Sequence, residues 1–138
     1  ASEYHGAFRI DEFTETRLRI EGRPIDVESM WGSGNSLGLE EPKKALLQER
    51  LRGLVGRRFH GSAGIQACLI ANAEEDFLIH GNSTPWDHAP VDLLCRMAGG
   101  HAAMLGNQDR FHASMAAPFM AASSYQGWKA LEQAIWQD

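Results

Sequence analysis

Apolar residues recur every three or four positions in four segments of this chain, which is the spacing of an amphipathic helix. The predicted helices cover residues 42–55, 63–73, 88–98 and 124–136. In the last of them Trp128, Leu131 and Ile135 fall on one face and are expected to be buried. Ser62 precedes the second segment and is predicted to cap it, because a serine hydroxyl can accept a free amide of the first helical turn.

Shorter apolar or alternating runs, bounded by Gly, Pro and polar residues, predict strands. These runs lie at 6–10, 16–20, 25–32, 57–60, 76–80, 101–105 and 118–122. The first two flank a polar segment and suggest a hairpin, whereas the Gly- and Ser-rich segment 33–41 predicts a loop. From residue 57 onward strands alternate with helices, which predicts an α/β fold with a layered mixed sheet flanked by helices. Residues 1–32 form a strand-rich ribbon whose apolar face needs a cover that no later segment obviously supplies.

Composition narrows the class of protein. The chain has 138 residues, 43% of them apolar and 22% charged, which suits one globular domain over 1–138. Its net charge of −5 and the absence of a basic run argue against a nucleic-acid partner. No stretch approaches the roughly 18 apolar residues of a membrane span, and the first residues do not resemble a signal peptide.

The two cysteines, Cys68 and Cys95, are far apart and lie in apolar helical segments. Each is predicted to be a buried free thiol, with a disulfide or a shared metal as the alternative. Free thiols suit a reducing compartment, so a cytoplasmic location is expected.

The sequence STPWDHAP at 83–90 places a carboxylate, Asp87, where a loop becomes a helix. One interpretation is that Asp87 caps the helix, which then ends at Gly99-Gly100, a common C-terminal signal. The other is that it faces a cation or a substrate. In an α/β fold the loops at 60–64 and 80–82 would meet it at one edge of the sheet, where ligands bind.

Residues 61–100, GSAGIQACLIANAEEDFLIHGNSTPWDHAPVDLLCRMAGG, resemble the C-terminal half of the inositol monophosphatase family, a superfamily of Mg²⁺-dependent, lithium-sensitive phosphomonoesterases. The shared features are a Gly-Ser/Thr-Ala turn, a helix, a strand, a Trp-Asp pair and a helix that ends in Ala-Gly-Gly. Gly-Ala-Phe at 6–8 also resembles the family. The resemblance implies the C-terminal part of an αβαβα sandwich.

The resemblance also implies roles for individual residues. Asp87 matches a carboxylate that binds a catalytic Mg²⁺, a hard cation that prefers oxygen ligands. Gly61, Ser62 and Ala63 match a turn that contacts a sugar-like substrate. His80 stands where the family has a glutamate that binds substrate hydroxyls.

Three positions depart from the family pattern. His80 replaces the glutamate, Met97 replaces the glutamate of Glu-Ala-Gly-Gly, and His88 stands where an apolar residue is common. An imidazole cannot accept two hydroxyls as a carboxylate does, which puts inositol phosphate itself in question as the substrate. His80, Asp87 and His88 holding a softer divalent metal is a minor alternative.

The glutamate and the Asp-Pro-x-Asp-Gly-Thr/Ser motif of the family's first half have no match here. We therefore expect the chain to be the C-terminal part of a longer phosphatase that hydrolyses a small phosphomonoester, and to be inactive alone. Alternatives are a naturally short protein, a non-catalytic binding or assembly module, or a phosphatase for nucleotide 3′-phosphates, histidinol phosphate or sugar bisphosphates. Homo-oligomers are expected through the ribbon, whose apolar residues should be exposed: Phe8, Ile10, Leu18 and Ile20.

Overall fold

The computed structural model describes residues 1–54 and 60–137. In chain order its strands are β1 (Phe8–Ile10), β2 (Glu15–Arg17), β3 (Gly32–Asn35), β4 (Phe77–His80), β5 (His101–Met104) and β6 (Phe119–Ala122). Its α-helices are α1 (Lys43–Arg52), α2 (Ala63–Ala71), α3 (Pro85–Met97) and α4 (Tyr125–Ile135). The predicted strand at 57–60 lies outside the described residues, apart from His60.

Four strands form one mixed sheet in the order β3-β4-β6-β5. Strands β3 and β4 are parallel, and β6 is antiparallel to both of its neighbours. Because successive side chains of a strand point to opposite faces, Phe77 and Ile79 pack with α1 and α4, while Leu78 packs with α2 and α3. Apolar residues therefore cover both faces, and the predicted α/β fold is confirmed.

The four predicted helices are present, each within a few residues of its expected ends. The Ser62 hydroxyl caps α2 by accepting the Ile65 amide at 3.3 Å. Gly99 follows α3 with a φ of 100°, a conformation that favours glycine. The prediction that Asp87 caps a helix beginning at 88 is wrong: Pro85 starts the helix, Thr84 is its cap residue and Asp87 is its third residue. A proline suits the first helical position because that position needs no amide donor.

The predicted strand at 25–32 is wrong, since residues Val27–Ser29 form a short 3₁₀ helix and the strand begins at Gly32. β3 instead occupies the start of the segment predicted to be a loop. A Cβ on Gly32 would lie 2.3 Å from the Phe77 carbonyl oxygen, and one on Gly34 would lie 3.0 Å from Leu51. Gly32 is thus required by close packing of the neighbouring strand rather than by a turn, and Gly34, on the same face, lies in tight contact with Leu51.

The predicted hairpin is confirmed as the antiparallel pair β1–β2. The expectation that its apolar residues are uncovered is only partly met. Ile10 is 72% exposed and Phe8 is half-buried. Leu18 and Ile20 are half-buried against small side chains of α2 and the end of α3, and the Ile20 amide donates to the Ala98 carbonyl at 2.8 Å.

The two cysteines differ in their surroundings. Cys95 is a buried free thiol as predicted, and burial raises its pKa to about 12. The prediction that Cys68 is buried is wrong, because this free thiol lies on the exposed face of α2. Among the described residues, no helix combines the length and the apolar character needed to cross a bilayer.

Candidate functional site

Polar residues gather where the parallel strands β3 and β4 end. Asn35 and His80, the last residues of these strands, are directly paired across the sheet. Helices α2 and α3 both begin at this edge, which brings their first residues close to the strand ends. Such an edge, with strand C-termini and helix N-termini together, is where open α/β sheets bind ligands.

Two cavities of about 280 and 290 Å³ share a wall at this edge. Both are lined by Asn35, Leu37, His80 and Asp87. The first is also lined by Gly61, Ser62, Ala63 and Gln66, and the second by Gly38, Asn82, Thr84 and His88. The structure therefore brings together all five residues that the sequence singled out: Gly61, Ser62, Ala63, His80 and Asp87.

Asp87 is exposed on the first turn of α3. Its Oδ2 atom accepts a hydrogen bond of 3.0 Å from the Thr84 hydroxyl. A carboxylate in this position is favoured by the partial positive charge of the helix N-terminus. Its second oxygen, Oδ1, has no hydrogen-bond partner in the described part of the chain and is available to a ligand.

His80 and His88 form a pair, with His80 Nδ1 2.8 Å from His88 Nε2. His88 is 2% exposed and packs edge-on against Phe119, with ring centroids 5.1 Å apart. The pKa of His80 is lowered to about 4, chiefly by burial and also by the neighbouring His88, while Asp87 opposes the shift. Burial likewise lowers the pKa of His88. Both rings are therefore neutral at pH 7.

The donor atoms at this edge of the sheet fit a Mg²⁺ ion only in part. Mg²⁺ takes six oxygen ligands, usually including one or two carboxylates and several waters. Asp87 is the one carboxylate that lines the two cavities. In residues 1–54 and 60–137, no three His, Cys, Asp or Glu side chains form a group able to hold a metal, so the alternative site of His80, Asp87 and His88 is not formed. The described residues do not make a complete metal site.

Sequence reasoning missed Asn35, Leu37 and Gln66. Asn35 and Leu37 lie in the segment that the Gly- and Ser-rich pattern predicted to be a loop. Gln66 is 2% exposed on α2 and donates a hydrogen bond from its side chain to the Ser33 hydroxyl. A buried glutamine inside an otherwise apolar helix was the one signal that could have pointed to this contact.

The fold is similar to that of inositol monophosphatases. Mycobacterium tuberculosis SuhB matches with a TM-score of 0.74 and 22% identity, over 97% of this chain and 51% of that one. Inositol monophosphatase II from Staphylococcus aureus matches with a TM-score of 0.71 and 15% identity, over 89% of this chain and 47% of that one. This chain therefore spans about half the length of the structures it matches, and the predicted resemblance is confirmed at the level of the fold.

A further similar structure, SaIMPase-II, is known with 2′AMP bound and with inositol monophosphate bound. It matches with TM-scores of 0.67 and 0.68 at 16% identity, over 89% of this chain and 45–46% of that one. No protein-family model matches this sequence, and a search of curated protein sequences finds no match.

Proposed function

We propose that this chain supplies one wall of the active site of a Mg²⁺-dependent phosphatase that hydrolyses a small phosphomonoester. The observation that carries this proposal is the meeting of Asp87, His80 and the Gly61–Ala63 turn at the shared cavities. These are the positions to which the family resemblance assigns metal and substrate contacts. The similarity in fold to inositol monophosphatases supports the same assignment.

In this proposal Asp87 contributes one oxygen ligand to Mg²⁺. When bound, Mg²⁺ would activate a water and neutralise charge on the phosphate. The other ligands must come from residues outside the described part of this chain, since Asp87 is the sole carboxylate at the cavities. The isolated chain is therefore proposed to be inactive.

The substrate is proposed to be a phosphorylated small molecule, with no nucleic acid or membrane as partner. SaIMPase-II binds both 2′AMP and inositol monophosphate, so this fold accommodates nucleotide and polyol phosphates. The replacement of a glutamate by His80 favours a substrate other than inositol phosphate. Phosphatases for nucleotide 3′-phosphates, histidinol phosphate and sugar bisphosphates remain the related alternatives.

A non-catalytic binding or assembly module is the second candidate function. His80 and Met97, at positions where the family has glutamates, are the residues that favour it. The two candidates differ in what they require of the rest of the site. A phosphatase needs further carboxylates beside Asp87, whereas a binding module does not.

The coding sequence upstream of this chain distinguishes the two candidates. The phosphatase proposal expects it to encode a glutamate and an Asp-Pro-x-Asp-Gly-Thr/Ser motif in the same reading frame. In that longer protein, Asp87→Asn should lower kcat by at least about 100-fold, because a lost metal ligand removes several kcal/mol of transition-state stabilisation. Absence of both motifs would favour the binding module, whereas full activity of the Asp87→Asn variant would exclude Asp87 as a ligand of the catalytic metal.

We also propose that the chain forms homo-oligomers through the β1–β2 hairpin and acts in the cytoplasm. Ile10 and Phe13 are 72% and 91% exposed at the hairpin, and a groove of about 580 Å³ lies between the hairpin and α2. Exposed apolar residues beside a groove favour association. The two free thiols support a reducing compartment.

A further inference from the structure

The contacts of His88 determine which of its ring nitrogens carries a proton. The backbone amide of Thr84 lies 2.9 Å from His88 Nδ1 and donates to it. A proton on Nδ1 would place two N–H groups head to head, so Nδ1 is bare. The Thr84 carbonyl lies 3.1 Å from the same nitrogen but already accepts the His88 amide at 3.0 Å, so it needs no second donor.

This assignment fixes the protons of the next ring. A ring whose Nδ1 accepts a hydrogen bond cannot be the doubly protonated cation, so His88 carries a single proton, on Nε2. That proton is donated to His80 Nδ1 at 2.8 Å, which must then be bare as well. His80 therefore carries its proton on Nε2, and this N–H has no acceptor among the described residues.

Asn35, paired with His80 across the sheet, is oriented by a similar constraint. Its Oδ1 atom accepts a hydrogen bond from the Leu37 amide at 3.1 Å. This contact fixes which atom of the side-chain amide is the oxygen, so the other atom is the Nδ2 donor group. That amide group has two protons and no acceptor within residues 1–54 and 60–137. Asn35 and His80 both line the two cavities.

We infer that His80 and Asn35 determine specificity by donating hydrogen bonds to an acceptor oxygen of the substrate, and that they favour a carbonyl, carboxylate or phosphoryl oxygen over a hydroxyl. The inference deepens the proposed function, on which it rests for the identity of the cavity as a substrate site. A carboxylate at position 80 would accept hydrogen bonds and so select hydroxyl groups, which can donate them. The His80 Nε2–H group instead needs an acceptor. A hydroxyl oxygen can accept this hydrogen bond, but it must then place its own proton on another acceptor, whereas a carbonyl, carboxylate or phosphoryl oxygen has no proton to place.

The proton positions can be measured on the whole chain by ¹⁵N NMR of its histidine rings at pH 7. We expect both His80 and His88 to show a bare Nδ1 and a protonated Nε2. A protonated Nδ1 on His80 would overturn the inference, because Nε2 would then be an acceptor. His101, whose ring stacks edge-on against Tyr125 and Trp128, serves as an internal reference outside the cavities.

Ligand chemistry is tested by adding N-methylacetamide, inorganic phosphate or myo-inositol and following the same ring and the Asn35 amide. A saturating shift of both signals with N-methylacetamide or phosphate is expected, and the more effective of the two identifies a neutral or an anionic acceptor. Myo-inositol should give a smaller shift at equal concentration, since each of its hydroxyls must place its own proton as well as accept. A larger shift with myo-inositol, or none with either acceptor, would overturn the inference.

Two variants complete the test. His80→Gln keeps a side-chain donor and should retain the response of the Asn35 amide to the acceptor probes. His80→Glu should lose that response and gain one to myo-inositol; retention of the original preference would contradict the inference. These readouts need no turnover, so an inactive longer protein would refute the phosphatase proposal while leaving the measured specificity in place.

Discussion

The polar residues at the two ends of strand β4 differ in whether their hydrogen-bonding groups already have partners. At its start, Asp76 is fully buried and accepts from both Arg23 Nε at 2.7 Å and Nη2 at 2.8 Å, and also from the Trp31 amide at 2.8 Å. At its other end His80 lines two cavities together with Asp87, which is exposed. The His80 Nε2 and Asp87 Oδ1 atoms have no partner in the described part of the chain.

This difference separates a structural carboxylate from a candidate functional one. A buried charge whose hydrogen-bonding capacity is filled stabilises the fold and has nothing left for a ligand. Asp76 also fixes the sheet to the segment before it, because its partners come from residues 23 and 31. Polar groups with open hydrogen-bonding capacity, placed where two parallel strands end, contribute less to folding and are available for binding.

The largest effect is expected from Asp76→Ala. This change leaves the Arg23 guanidinium and the Trp31 amide without their acceptor and should lower the free energy of unfolding by about 3 kcal/mol, the cost of breaking a buried ion pair. Urea unfolding at pH 7 measures it, with Asp87→Ala as the matched control at the other end of the strand. Equal losses in the two variants would mean that the two ends do not differ in the way described.

A smaller effect is expected from pH. The folded-state pKa of His80 is about 4, below its unfolded value near 6.5, so the unfolded chain binds protons that the folded chain excludes. Stability from this group is complete above pH 6.5 and declines as the pH falls toward 4, by about 2.5 kcal/mol at pH 4.5. Urea unfolding at pH 7 and pH 4.5 should therefore show a larger decrease for the wild type than for His80→Gln.

An equal loss of stability in the wild type and in His80→Gln between pH 7 and pH 4.5 would contradict this prediction. It would mean that the pKa of His80 is not lowered in the folded chain. The His80–His88 contact would then be formed only part of the time.

A still smaller effect on folding is expected from Asp87→Asn. In the wild-type chain the Thr84 hydroxyl donates to Asp87 Oδ2 at 3.0 Å. The asparagine side chain keeps an acceptor oxygen for this hydroxyl, so the variant loses only the interaction of a negative charge with the start of α3. The free energy of unfolding should fall by about 0.5 kcal/mol. Thermal or urea unfolding checks this value, and a loss of several kcal/mol would place Asp87 with Asp76 as a structural residue.

The smallest effect on folding is expected at the hairpin, which exposes apolar rather than polar groups. Ile10→Lys with Phe13→Lys removes two exposed apolar side chains and should change the free energy of unfolding by less than about 0.5 kcal/mol. The same pair should convert an oligomer to a monomer in light scattering at micromolar concentration. Leu18 is unsuitable for this test because it is half-buried against α2 and α3. Continued association of the double variant would exclude these two side chains from the interface.

The sequence predicted the helices, three strands of the sheet and the hairpin because each has a local pattern. Leu78 and its neighbours form a continuous apolar run, and Trp128, Leu131 and Ile135 repeat at helical spacing. Strand β3 has no such pattern, because close packing against Phe77 and Leu51 demands glycine where a strand usually has large residues. Its start could be recognised only with the neighbouring strand in place.

The candidate site was predicted in part for a similar reason. Asp87 and the Gly61–Ala63 turn belong to a contiguous motif, so the sequence could single them out. Asn35 and the Arg23–Asp76 pair depend on partners 45 and 53 residues away along the chain, a relation that only the sheet reveals. The His80–His88 contact likewise requires a strand, a loop and a helix to meet.

In the proposed function, this chain carries part of a phosphatase site that residues outside its described part complete. Hydrolysis of a panel of phosphomonoesters by the purified chain, with millimolar Mg²⁺, tests it. The panel should contain inositol phosphate, 2′-AMP and a sugar phosphate. No turnover above a protein-free control is expected, because Asp87 is the single carboxylate among the described residues that line the cavities. Mg²⁺-dependent turnover that Asp87→Asn abolishes would show that the chain holds a complete site and would contradict the account.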